Sequence, residues 1–97
     1  MKAVLSRVPL DLGKVRPGDL DRQILRVSII AELDAVNLYE QMAALAQDEA
    51  VRRVLLEVAR EEKTHVGEFL ALLLKLDTEQ AGELEKGRAE VEELTGR

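Results

Sequence analysis

Cysteine is absent from the chain, and its absence excludes disulfide bonds and thiolate metal ligands. Aromatic residues are scarce: there is one Phe, one Tyr and no Trp, so the apolar content comes mostly from Leu, Val and Ala. Basic residues are outnumbered by acidic ones, 14 to 19, and no basic run is interleaved with aromatic residues. We therefore expect no nucleic-acid partner.

Long hydrophobic runs are also missing. No stretch of about 18 uncharged apolar residues occurs, so we expect no membrane-spanning segment. The N-terminal residues 1–7, MKAVLSR, have no long apolar core and do not resemble a signal peptide. With 97 residues the chain has room for one domain. These absences together predict a soluble protein of the cytoplasm.

The residues that are abundant favour helices. Leu, Val and Ala combined with 34 % charged residues predict an all-α fold. We expect an irregular N-terminal arm over residues 1–17, which contain Pro9, Gly13 and Pro17, and a helical domain over residues 18–97. The first helix is predicted from about Asp19, as its N-cap, to about residue 46.

Two further helices are predicted after a short turn at residues 47–49. Asp48 is a candidate cap for a second helix that runs from about residue 49 to 76, and so short a turn makes the first two helices antiparallel. Asp77 and Gln80 have the spacing of a capping box, which predicts a third helix over about residues 78–94. Gly82 and Gly87 weaken that helix, and a glycine at 96 is a suitable stop.

Three polar residues interrupt the apolar seams of the hairpin. Apolar residues recur at alternating spacings of four and three, which is typical of a helix face packed on another helix. In the second helix this seam is Val51, Leu55, Val58, Glu62, His65, Phe69, Leu72 and Leu76. In the first helix it is Leu25, Ile29, Glu32, Val36, Tyr39 and Ala43. A carboxylate buried on such a face is costly unless it is paired or binds a metal.

The positions of these polar residues predict a metal site. Glu62 and His65 are three residues apart, so their side chains share a helix face. Glu32 lies about 14 residues before the turn and Glu62 about 14 after it, which places them at one level of an antiparallel hairpin. Two carboxylates with one imidazole suit iron or manganese, and Zn or Ca could substitute.

The ligand count points to a homodimer. A carboxylate-bridged di-iron centre in a four-helix bundle takes four carboxylates and two histidines, and one chain supplies half of them. The first helix also carries apolar residues outside its seam, more than a two-helix hairpin needs. These are Ile24, Ala31, Leu38, Met42 and Leu45. We therefore expect two chains to complete the bundle around the metals.

Structural interpretations of the same residues stay open from the sequence alone. Glu62 could pair with Arg60 or Lys63, Glu32 could pair with a basic residue of a neighbouring helix, and His65 could be a hydrogen-bonded core residue.

Other polar residues also allow two interpretations. Tyr39 is either a core residue with its hydroxyl bonded or a hydrogen-bond or redox neighbour of the metal. Asp34, Glu61 and Glu68 are either solvated acids or cation-attracting groups near a two-fold opening.

Two segments closely resemble the encapsulated ferritin-like proteins of the ferritin-like superfamily. They are IAELDAVNLYEQ at residues 30–41 and AREEKTHVGEF at residues 59–69, and the likeness covers about residues 20–95. The resemblance implies that Glu32, Glu62 and His65 are iron ligands and that Tyr39 belongs to the catalytic centre. It further implies a ferroxidase with a di-iron centre between two chains, a decamer of five dimers, and mineral storage inside an encapsulin shell.

The chain departs from the family pattern at two places. Some members carry an acid and a Trp on the metal access route, where this chain has Ala31 and Leu38. Stand-alone cargo members end in a shell-docking tail, which residues 94–97 do not resemble. Since some archaeal relatives are fused ahead of the shell protein, the chain is either a domain of such a fusion or docks through residues 1–17.

Two other functions fit the same residues. One is a rubrerythrin-like di-iron protein that consumes peroxide, although the missing cysteines remove the rubredoxin-type electron-transfer site. The other is a metal-stapled oligomerisation or cargo module without turnover.

Overall fold

Three α-helices make up most of the described part of the chain, which is residues 11–97 of a computed structural model. The helices are α1 (Leu20–Leu45), α2 (Glu49–Leu76) and α3 (Thr78–Thr95), and residues 11–97 contain no strand. The predicted all-α class is therefore confirmed. Most of the predicted N-terminal arm lies outside the described residues, but short 3₁₀ helices form at Leu12–Lys14 and Pro17–Asp19.

Asp19 stands at the start of α1 but does not cap it with its side chain. Its backbone is helical, with φ −105° and ψ −6°, instead of the extended conformation that lets a cap residue reach the next free N–H groups. The carboxylate accepts hydrogen bonds from the side chains of Arg16 and Arg22 instead, which lower its pKa below the usual range. The predicted N-cap position of Asp19 is therefore confirmed, but its side chain makes no capping hydrogen bond.

The turn into α2 follows the expected cap chemistry. Asp48 is extended, with φ −82° and ψ 127°, and its Oδ1 accepts a 3.0 Å hydrogen bond from the backbone N–H of Val51. The backbone N–H of Ala46 closes α1 on the carbonyl of Met42 at 3.0 Å. Only residues 46–48 separate the two helices, so α1 and α2 form the predicted antiparallel hairpin.

The hairpin core is built around small residues. Ala35 and Ala59 are each 2 % exposed, which brings the two helix backbones close, and Tyr39 is 8 % exposed beside them. Met42, Leu55 and Val58 pack against this cluster. The ends of the predicted α2 seam are open, because Val51, Leu72 and Leu76 are about half exposed. One neighbouring helix therefore covers only the middle of the seam.

Helix α3 projects from the hairpin. None of its residues is buried, and every residue from 88 to 97 is exposed. The radius of gyration is 16.5 Å, compared with about 13 Å expected for a compact domain of this length. Gly96 ends the helix in the left-handed conformation at φ 77°, as its place in the sequence predicts. The helices of the described part are too short or too polar to cross a membrane.

Candidate metal centre

Glu32, Glu62 and His65 meet in the structure, as their spacing predicts. Each offers a ligand atom, and these atoms all lie within 4.8 Å of one another. His65 Nδ1 is 3.4 Å from Oε2 of Glu32 and 3.4 Å from Oε2 of Glu62. The imidazole therefore stands between a carboxylate of α1 and a carboxylate of its own helix, and the hairpin register produces this arrangement.

The three side chains differ in exposure. Glu32 and Glu62 are 20 % and 18 % exposed, whereas the imidazole of His65 is 43 % exposed. In the single chain this imidazole is partly covered and lies at hydrogen-bond distance from both carboxylates, so a hydrogen-bonded role and a metal-binding role both fit it. The two carboxylates are therefore more covered than the imidazole between them.

The nearby basic residues are engaged elsewhere. Arg60 pairs with Glu57 on its own helix, and Lys63 Nζ is 3.4 Å from Oε2 of Glu40 on α1. The predicted alternative in which Glu62 pairs with one of these two residues is therefore not what the structure shows. Within residues 11–97, the trio is the one group of three acidic or histidine side chains close enough to share an ion.

The donor set fits an iron ion. Two carboxylate oxygens and one imidazole nitrogen are the ligands that iron and manganese accept, and no thiolate is present to favour a softer metal. In di-iron bundles, two helices each give one Glu and two others each give a Glu-x-x-His pair. Here α1 gives Glu32 and α2 gives Glu62 and His65, which is half of that set.

The other residues singled out from the sequence lie around the trio and are not part of it. Tyr39 is buried in the hairpin core against Ala35 and Ala59. It also makes a polar or ring interaction there. Its surroundings are therefore those predicted for a core residue. Its role in catalysis stays a prediction. Glu61 and Glu68 are exposed.

Asp34 differs from the other two acids, because it is partly buried and makes an interaction of its own. Asp34 is therefore not the freely solvated acid that one of its two interpretations describes. Ala31 and Leu38, at the places of the family's access-route residues, are partly buried.

The Glu40–Lys63 ion pair between α1 and α2 is not predicted by the helix spacing of the sequence. Glu40 lies 6 residues before residue 46 and Lys63 lies 15 after residue 48, so the two are not opposite one another. Because the two residues stand at different levels of the hairpin, helix spacing does not signal such a contact. The pair ties the hairpin together immediately beside Glu62.

Comparisons with known proteins identify a family and two relatives of the chain. The family model described as EncFtn-like matches residues 12–87. The chain is 69 % identical over 95 residues to a ferritin-like–encapsulin shell fusion protein of Pyrococcus furiosus, covering 96 % of this chain and 28 % of that protein. It is 40 % identical over 68 residues to the encapsulin nanocompartment cargo protein EncC of Myxococcus xanthus, covering 70 % of this chain and 52 % of that protein.

A solved structure shows the same fold. The crystal structure of the encapsulated ferritin domain from Pyrococcus furiosus has a TM-score of 0.82 to this chain at 58 % identity, covering 96 % of this chain and 97 % of that one. The chain spans about a quarter and about half of the lengths of the two curated relatives. Because the family model covers most of the chain, and the relatives and the fold agree with it, the chain belongs to the EncFtn-like family.

Proposed function

We propose that the protein is a ferroxidase, which oxidises Fe(II) to Fe(III) at a di-iron centre shared by two chains. The observation that carries the proposal is the convergence of Glu32, Glu62 and His65, with ligand atoms within 4.8 Å. Membership of an encapsulated-ferritin family supports it independently.

Two properties of the site support sharing between chains. One chain provides two carboxylates and one imidazole, and a second copy would bring the count to four and two. The imidazole of His65 is 43 % exposed in the single chain, which leaves it accessible to a second copy. A two-fold axis beside the trio satisfies both requirements, because it repeats the same ligands across the opening.

Fe(II) is the substrate in this proposal: two Fe(II) ions become two Fe(III) ions, and their two electrons reduce dioxygen, which takes up two protons from solvent to give hydrogen peroxide. The carboxylates of Glu32 and Glu62 favour the product, because their negative charge stabilises Fe(III) more than Fe(II). Nδ1 of His65 faces both carboxylates, so it is the nitrogen placed to bind, and it must be unprotonated to do so. The packing of α1 against α2 fixes the positions of these three side chains.

The proposal extends to assembly and location. We expect dimers, and a decamer of five dimers, that deliver Fe(III) for mineral storage inside an encapsulin shell in the cytoplasm. Support comes from the names of two relatives, one a fusion with an encapsulin shell and the other an encapsulin cargo protein. Coverage of only 28 % of the fusion protein is what a ferritin-like domain joined to a shell domain would give.

Oxidation kinetics test the ligand assignment. Substitution His65→Ala removes the one imidazole of each chain, and hence two ligands of the shared centre. We expect the rate of Fe(II) oxidation in air, followed by stopped-flow absorbance and oxygen uptake, to fall by about two orders of magnitude or more. Helix content by circular dichroism should stay unchanged.

The matched control is Thr64→Ala, because Thr64 is exposed on the same helix turn. It should oxidise iron at the wild-type rate. A folded His65→Ala variant that oxidises iron at the wild-type rate would refute the assignment.

Faster turnover with peroxide and a reductant than with oxygen would favour the rubrerythrin-like function, and tight iron binding without turnover would favour the structural module.

A further inference from the structure

A single residue, Asp77, connects three helices. It is the one residue between α2 and α3, and its side chain is 12 % exposed although it lies in a connection. Its backbone N–H donates to the carbonyl of Leu73 at 2.8 Å, which ends α2. Its Oδ1 accepts a 3.0 Å hydrogen bond from the backbone N–H of Gln80, which caps α3.

The second carboxylate oxygen of Asp77 reaches the first helix. Arg26 of α1 donates from its guanidinium to Oδ2 of Asp77 at 2.6 Å. The two residues are 51 positions apart, so this ion pair joins distant parts of the chain. It also differs from the pairs of Arg52, Arg60 and Arg88, which each join residues three or four apart on one helix.

Little else fixes the direction of α3. Near its start, Gln80 and Leu84 line a groove of about 240 Å³ with residues of α1 and α2, and Leu84 is still 43 % exposed there. From residue 88 onwards the helix is exposed throughout. A helix whose packing is this thin, joined to the hairpin by one residue, would swing about that joint without a further restraint.

We propose that the Arg26–Asp77 ion pair is a latch that sets the direction of α3 relative to the α1–α2 hairpin. The carboxylate of Asp77 contacts both helices: one oxygen caps the first turn of α3, and the other accepts the hydrogen bond from Arg26 of α1. The latch thereby decides where α3 presents its exposed apolar residues Leu84, Val91 and Leu94. The charge of Asp77 supports this role, since the Gln80 N–H and the Arg26 guanidinium lower the pKa of Asp77 below its usual range.

Distance measurements between α1 and α3 test the latch. The chain has no cysteine, so spin labels can be placed at two introduced ones, Asn37→Cys on α1 and Glu90→Cys on α3, both at exposed positions. Labelled chains are diluted into an excess of unlabelled chain, so that pulsed electron resonance reports distances within one chain. We expect one narrow distance peak for the otherwise unchanged protein.

Two different substitutions that each remove the Arg26–Asp77 ion pair should broaden this distance peak. Arg26→Met removes the ion pair and leaves the Asp77 cap on α3. Asp77→Asn also removes the ion pair and keeps a cap, because Asn is a good N-cap residue. Both should turn the narrow peak into a broad distribution. Arg52→Met is the matched control, because it removes an ion pair that stays within α2, and it should leave the peak unchanged.

A second label pair separates loss of the latch from loss of the fold. Labels at Asn37→Cys and Arg53→Cys, both exposed, report only the hairpin and should keep a narrow peak in every variant. If Arg26→Met leaves the α1–α3 peak narrow and unshifted, packing alone fixes α3 and the latch is overturned. Broadening of the hairpin peak together with the α1–α3 peak would also overturn it, because the ion pair would then stabilise the whole fold.

Discussion

At the scale of single residues, the centre combines groups that are unfavourable without a ligand. Glu32 and Glu62 are mostly covered, at 20 % and 18 % exposure, and each replaces an apolar residue in a helix seam. Covered carboxylates that lie close together repel each other and lose hydration. The contact of both with His65 at 3.4 Å offsets part of this cost. A bound cation would offset more, since it neutralises both charges.

Replacing one acid by leucine should therefore stabilise the metal-free protein. Glu62→Leu restores the apolar seam, and we expect a gain of about 1–3 kcal/mol in the free energy of unfolding. Thermal unfolding after chelator treatment measures this as a higher melting temperature. When Fe(II) is added without oxygen, the advantage should shrink or reverse, because only the unchanged protein has a site that the metal stabilises.

The matched control for this substitution is Glu61→Leu, at the exposed neighbouring position, which should change stability by less than about 0.5 kcal/mol. A lower melting temperature for metal-free Glu62→Leu would mean that the carboxylate is already satisfied in the apoprotein. The physical argument for a metal site would then lose its main support.

The trio could be predicted from sequence because its geometry depends only on helix repeats. The i, i+3 spacing places Glu62 and His65 together, and equal distance from the turn places Glu32 opposite. The environment of Tyr39 does not follow from the spacing, because one heptad position fits both a core residue and a neighbour of the metal. The contact with Ala35 and Ala59 shows that core packing surrounds it, and helix spacing alone does not contain that information.

At the scale of elements, helix ends with an ordinary cap could be predicted closely. Helix α2 runs from Glu49 to Leu76 as expected, and α3 ends one residue later than expected, at Thr95. Asp48 and Asp77 cap through backbone N–H groups three residues on, which sequence spacing reveals. Gly82 and Gly87 do not interrupt α3, because each costs only about 1 kcal/mol and the helix continues around them.

Features that depend on long side chains or tertiary contacts could not be predicted. Asp19 occupies the predicted N-cap position of α1, but its carboxylate accepts hydrogen bonds from two arginines instead of capping the helix, and its backbone is already helical. The pairing of Arg26 with Asp77 is likewise absent from any local pattern, because the two residues are 51 positions apart. The short 3₁₀ helices before α1 have no periodic signal, since each is three residues long.

The cap and latch residue Asp77 gives a pH-dependent prediction. Its pKa is lowered from the ordinary value of 3.8, first by the Gln80 N–H and then by Arg26, with Arg22 also near. A lowered pKa in the folded state means that the ionised carboxylate stabilises the fold above about pH 4. That stabilisation is lost as the pH falls below 3.8 and through the lower pKa of the folded state.

Asp77→Ala should therefore lower the melting temperature at neutral pH, and the difference from the unchanged protein should shrink as the pH is lowered below 3.8. Thermal unfolding by circular dichroism across this range measures the difference. Asp77→Asn serves as the control, because it keeps the cap and loses only the charge, so its effect at neutral pH should be smaller. A difference that stays constant with pH, or grows in acid, would contradict the assignment.

At the scale of the whole molecule, one chain leaves surfaces that need a partner. Within residues 11–97, twelve large apolar residues are at least 40 % exposed, nine of them on α1 and α2, which is more than a hairpin of this size can leave in water without cost. The chain has half of a di-iron ligand set, and its radius of gyration of 16.5 Å is large for its length. The half set of metal ligands, the exposed apolar residues and the large radius of gyration all favour a second copy that completes a four-helix bundle.

The measurement that tests the shared centre most directly is the mass in solution during an iron titration without oxygen. We predict that Fe(II) shifts the chains from monomer towards dimer or larger, and that binding saturates at two irons per two chains. Glu32→Ala should abolish the shift, and Glu61→Ala, at an exposed position, should keep it. A monomer that binds two irons tightly on its own would contradict the shared centre.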